Sequence, residues 1–174
     1  MEERYKVTKI VGIVGIIGNI FLLIIKGIIG TITKSQAMIA DSINSAGDIF
    51  ASIMTFIGNK IASVPKDENH NFGHGKAEYI FSLLISLSMI GVSLKMIVEA
   101  IIKLINGSEI IYSNWLIIVC IVTILIKLML YFYTKNKYKL CNNILLEASM
   151  KDHRNDCIIT TFTLISILLS IKGI

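Results

Sequence analysis

Proline is almost missing from this chain, with Pro65 the single example in 174 residues. Charge is scarce as well: 17% of residues are Asp, Glu, Lys or Arg, against about 25% in an ordinary soluble domain. Few turn-forming residues leave little room for strands and hairpins, so a β-rich fold is excluded first. Cysteine is sparse too. Cys120, Cys141 and Cys157 lie in or beside apolar runs, without metal-type spacing, and are read as small packing residues. A phosphate-cradling glycine loop is missing, and so is any paired nucleophile and base, which argues against an enzyme. The first apolar segment is too long for the core of a cleavable signal and is not followed by a small-residue cleavage site.

What the chain has instead is apolar length. It is 54% hydrophobic, with a mean hydropathy of +0.72, and several stretches exceed the ~20 apolar residues that cross a bilayer as a helix. The expected fold is all-α: a polytopic membrane helix bundle of five transmembrane helices. The spans are read at about 10–32, 36–62, 77–105, 114–133 and 141–171. With the N-terminus in the cytosol, the inner side carries Arg4, Lys6 and Lys9, then Lys60, Lys66 and Lys76, then Lys135, Lys137 and Lys139. The outer side carries Lys34, Lys103 and Lys172. The excess of inward positive charge sets the N-terminus in the cytosol. The same basic flanks account for the formal charge of +5 without invoking nucleic acid. Lys26, Lys95 and Lys127 fall inside apolar segments and are read as snorkelling or making polar interior contacts, with no chemistry assigned.

Ionisable groups are costly inside a membrane and mark function by default. Two of the five segments break the apolar rule. The second carries Asp41, Asn44 and Asp48; the fifth carries Asp152, His153, Arg154 and Asp156. Asn44 and Asp48 are four residues apart, as are Asp152 and Asp156, so each pair stacks on one helix face. Asp48 and Asp156 lie near the midpoints of their spans. If the two faces met, one amide oxygen and three carboxylates would surround a common point, where a divalent cation would relieve their mutual repulsion. The alternative is a pair of polar faces that line a water cavity or bond neighbouring helices. Asp41 is read as rotated off the Asp48 face, in a supporting or packing role. His153 and Arg154 are read as pointing off the Asp152–Asp156 face and lining or pairing rather than ligating. Between spans two and three, Asp67, His70 and His74 form a second set of candidate metal ligands, on a loop that Gly73 and Gly75 can tighten. Surface His and Asp clusters are common, so this set is weak by itself.

Together these stretches resemble the cation diffusion facilitator family over essentially the whole chain. The run Ser35 to Ser42 with Asn44 and Asp48 is similar to the family's second-helix signature, and His70 to Lys76 followed by Glu78 to its cytosolic loop motif. Lys151 to Asp156 is similar to its fifth-helix half-site, and Lys26 and Gly30 also fit. The resemblance implies that residues 1–174 are a cation-efflux transmembrane domain, and that the protein exports divalent metal in exchange for protons. It implies a transport site at Asn44, Asp48, Asp152 and Asp156, a loop site at Asp67, His70 and His74 that usually takes zinc, and a homodimer in the full-length form. It also implies a bilayer setting, read as a bacterial plasma membrane, and metal as substrate with no prosthetic group. Zinc-selective relatives place a histidine in the transport site. The four positions here are all oxygen donors, which favours manganese, with zinc or iron(II) as alternatives. Against the family pattern, a sixth span and a cytosolic domain are missing, and so is the acidic partner expected for Lys76. A second reading is therefore a non-transporting, truncated membrane fragment.

Overall fold

In a computed structural model, the residues described are 2–33, 36–66, 73–106 and 113–171. They form five long helices: α1 (Glu2–Ile32), α2 (Gln36–Ala62), α3 (Ala77–Asn106), α4 (Asn114–Cys141) and α5 (Ile144–Ile171). No strand occurs among the described residues. Helix boundaries depart from the expected spans where polar sequence continues a helix. α1 begins at Glu2 and α4 runs on to Cys141, because apolarity marks what lipid can hold, whereas the backbone ladder continues into water.

The α4–α5 turn is two asparagines. Asn142 closes α4 in the left-handed conformation (φ 45°, ψ 48°), its N–H donating to the Tyr138 carbonyl. Asn143 opens α5: its Oδ1 accepts from the Leu145 N–H at 2.8 Å. Asparagine tolerates the left-handed region better than other non-glycine residues, and it is a favoured helix N-cap. The fifth helix therefore starts at Ile144, not at 141 as the apolar pattern suggests.

α1 packs most extensively on α2, and α4 on α5; α3 lies against α2 and α5, and α4 against α1. One end of the bundle is tied by polar contacts. Arg4 pairs with Glu78 at 2.7 Å. Asn143 Nδ2 donates to Glu78 Oε1 and to Thr8 Oγ1, both at 3.2 Å. Asn59 Nδ2 donates to the Tyr5 carbonyl at 2.9 Å. The start of α1, the end of α2, the start of α3 and the α4–α5 turn therefore meet on one side, the arrangement that alternating spans require.

The surface and the interior are inverted relative to a soluble protein. Ile17, Phe21, Leu83, Leu87, Leu94 and Met129 are exposed, whereas Thr8, Asn19, Lys26, Ser45, Thr55 and Lys127 are buried. Three helices among the described residues, α1, α4 and the first part of α3 (Ala77–Glu99), are long and apolar enough to cross a membrane. α2 and α5 are of similar length but carry the acidic residues noted above, and they turn them inward. The chain is an integral membrane protein. Among the described residues, its interior has two small apolar clusters: Met38, Leu116 and Val119 in one, Ala51, Ile85 and Leu145 in the other. Along α2 and α5, the polar residues Asn44, Asp48 and Asp156 lie between the clusters.

Close helix approach depends on glycine at α2–α3. A Cβ on Gly58 would sit 2.6 Å from the Phe81 Cβ. That atom is fixed to the α3 backbone, so the helix itself must yield. Gly58→Val is expected to lower stability by about 1–3 kcal/mol, the range for overpacking, and to reduce the thermal midpoint of the detergent-solubilised protein. An unchanged midpoint would mean that α3 is not seated against α2 as described.

Candidate metal transport site

Asp48, Lys127 and Asp156 sit close to the middle of α2, α4 and α5. The Lys127 Nζ donates to Asp48 Oδ2 at 2.7 Å and to Asp156 Oδ2 at 2.5 Å. One ammonium thus joins the carboxylates of two helices, with 1% of the lysine side chain exposed. Isolated charges at this depth would be prohibitive. A buried pair persists only when its geometry offsets the loss of water, and stripping away its partner destabilises by about 3–5 kcal/mol.

The surrounding polar groups orient this centre. Asn19, fully buried on α1, donates through Nδ2 to the Asp48 carbonyl and to Ser52 Oγ, both at 3.1 Å. Lys26 pairs with Asp41 Oδ2 at 2.9 Å and donates to Ser45 Oγ at 3.2 Å. Toward the tied end, the Thr55 and Ser149 hydroxyls bond at 2.7 Å and join α2 to α5. Hydroxyl and amide bonds of this kind hold helices together where lipid removes the hydrophobic drive.

A small cavity of about 30 Å³ opens among these groups. Lys26, Asp41, Asn44, Asp48, Lys127 and Asp156 contribute to its lining, with Thr123 and Thr160. The two faces expected to meet therefore do meet at Asn44, Asp48 and Asp156. Asp152 does not line the cavity. It is buried beside it, and its carboxylate, the Asp156 carboxylate and a His153 ring nitrogen lie within 4.8 Å of one another.

Two expectations require correction. Asp41 does not turn off the Asp48 face: seven residues are nearly two full helical turns, so it opens onto the same cavity. His153 does not point away from the acidic pair. It is 2% exposed and clusters with both carboxylates, because α5 is surrounded by helices over this stretch and adjacent side chains can both be enclosed. Of the two readings offered for Lys26 and Lys127, snorkelling and a polar interior contact, the second holds: both are buried and bind acids. Lys95 does stay exposed, pairing with Glu99 at 3.6 Å, and Arg154 is exposed beside Asn155. Of the loop candidates, Asp67 and His70 lie outside the described residues. His74 is half-buried at the start of α3, where its carbonyl accepts from the Ala77 N–H at 2.9 Å.

Asn19 and Lys127 are the residues that sequence reasoning misses as parts of the site. Each carries a signal, a lone polar group in the middle of an apolar helix, but neither carries any indication of its partner.

Buried oxygen donors from separate helices, gathered in the middle of a membrane bundle, are the equipment of a cation-handling membrane protein. Residues 12–173 match the model of the cation efflux transmembrane domain, and the chain belongs to that family, whose members are transporters rather than enzymes. It is 31% identical over 171 residues to the manganese efflux system protein MneP of Bacillus subtilis, covering 98% of this chain and 57% of the relative. It is 35% identical over 157 residues to an uncharacterised transporter of Methanocaldococcus jannaschii, covering 90% and 56%. It is 29% identical over 152 residues to the cation-efflux pump FieF of Shewanella oneidensis, covering 87% and 51%. The chain spans about half the length of these curated relatives.

Proposed function

We propose that this chain is the transmembrane part of a divalent-cation exporter, that manganese is its preferred substrate, and that export is exchanged for protons. The observation carrying this reading is the convergence of Asn44, Asp48 and Asp156 on one interior cavity, with Asp152 beside it. The donors in that cavity are oxygens, the set that suits manganese better than zinc. The name of the Bacillus relative, a manganese efflux protein, agrees. The metal would leave its hydration shell for the carboxylates and the Asn44 oxygen. Protons would compete for the same oxygens, since ligands must be deprotonated to bind metal, and this competition links release to proton uptake.

All five helices are proposed to span the bilayer, with residues 1–174 forming one domain. The membrane is proposed to be a bacterial plasma membrane and the N-terminus to face the cytosol; the gathering of lysine-rich helix ends on one side of the bundle supports that orientation. A homodimer is proposed for the working transporter, and zinc for the loop at Asp67, His70 and His74. In vesicles bearing the protein, manganese addition is expected to drive a proton flux that vesicles without it lack. A flux unaffected by manganese would reject the reading.

A zinc or iron(II) reading has one observation in its favour. His153 Nδ1 is buried without a hydrogen-bond partner among the described residues, near Asp152 and Asp156, so a nitrogen donor is at hand after all. His153→Ala is expected to leave manganese and zinc binding each within about twofold. A tenfold or greater loss confined to zinc would instead make His153 a ligand and favour this second reading.

A further inference from the structure

The Lys127 ammonium occupies the position that a shared metal ion would need. It lies 2.7 Å and 2.5 Å from one oxygen of Asp48 and one of Asp156, between the two helices that supply the proposed ligands. The adjoining cavity, about 30 Å³, has room for only a water molecule or two. A dication drawn to both carboxylates would press against the ammonium at a separation where like charges repel strongly, with little water to screen them. The lysine stem is long and flexible, and an ammonium is a compact point charge rather than a rigid fork, so it can yield its place by rotation about its own bonds.

We propose that Lys127 is a built-in counter-cation. It offsets part of the negative charge of Asp48 and Asp156 and joins them when the site is empty, and incoming metal expels it. The inference rests on the metal-site reading above and adds a competitor that belongs to the protein itself. The empty site never presents a bare carboxylate pair to the bundle interior, so the metal-free protein resets with less uncompensated charge in the membrane than the two acids alone would carry. Ammonium and metal occupy the pair alternately, which makes Lys127 a determinant of affinity and release rather than a ligand.

The test combines a structure with a titration. Manganese-loaded protein is expected to show the Lys127 Nζ outside hydrogen-bond distance of both Asp48 and Asp156. Lys127→Gln removes the competitor and is expected to bind manganese at least about tenfold more tightly by calorimetry. Lys127→Arg keeps a cation in place and guards against reading a folding defect as a binding effect; it is expected to bind no more tightly than the parent. A loaded structure with Nζ still bonded to both carboxylates overturns the inference alone, as does a Lys127→Gln affinity that is unchanged or weaker. Absence of manganese binding in the parent, or binding that survives Asp48→Ala, overturns the site reading and this inference with it.

Discussion

Asp48→Ala and Asp156→Ala are each expected to abolish manganese-driven proton flux and to weaken manganese binding by at least about 100-fold. Losing a group that merely orients a metal ligand already costs about 10–100-fold, and these residues are proposed to be ligands. The two substitutions should act alike, because their carboxylates lie on opposite helices around one cavity and bind the same Lys127 nitrogen. They should also leave the fold intact. Each variant retains one acidic partner for Lys127, so the penalty for a fully stripped buried charge does not apply. A parallel thermal melt separates the two effects: lost flux with a preserved midpoint is the expected pattern. Flux retained in either variant would mean that the ion crosses elsewhere.

Asn44→His should change which metal the protein prefers. Asn44 lines the cavity with Asp48 and Asp156 and offers an amide oxygen. Imidazole in its place is a softer donor that suits zinc, whereas oxygen sets suit manganese. Competition binding in the variant is expected to shift the zinc-to-manganese affinity ratio upward by about tenfold or more. The comparison is internal to one protein preparation, so a general loss of folded material cancels. If the ratio stays where it was, Asn44 does not touch the ion, and the oxygen-donor basis of the manganese proposal fails with it.

The acidic pairs are legible in the sequence because their message is local. Asn44 with Asp48, and Asp152 with Asp156, share a face through the helical repeat alone, and an apolar background makes them stand out. Asp41 obeys the same repeat, since seven residues from Asp48 are nearly two turns, and an expectation that rotates it off that face misapplies the rule. The rule itself mishandles an adjacent position. It turns His153 away because helix-face reasoning assumes that an adjacent residue points elsewhere, whereas helices surrounding α5 bury both. Asp152 follows its pair rule yet stands outside the cavity that Asp156 lines, because a shared helix face fixes direction but not distance to a neighbouring helix.

The helix count, the membrane setting and the presence of acidic groups at mid-depth follow from the amino-acid order alone. These depend on residue solubility and on the 3.6-residue repeat, both properties of short stretches of chain. Helix packing, by contrast, is what joins Lys127 of α4 to Asp48 of α2 and Asp156 of α5, sets Asn19 of α1 on the Asp48 carbonyl, and gives Lys26 its partner in Asp41. Those pairings join residues far apart along the chain, and they are chosen by how whole helices rotate and pack to bring these buried charges to partners. In lipid, where no water can satisfy an unpaired group, that requirement selects one arrangement of the bundle, and no single helix carries the information to specify it.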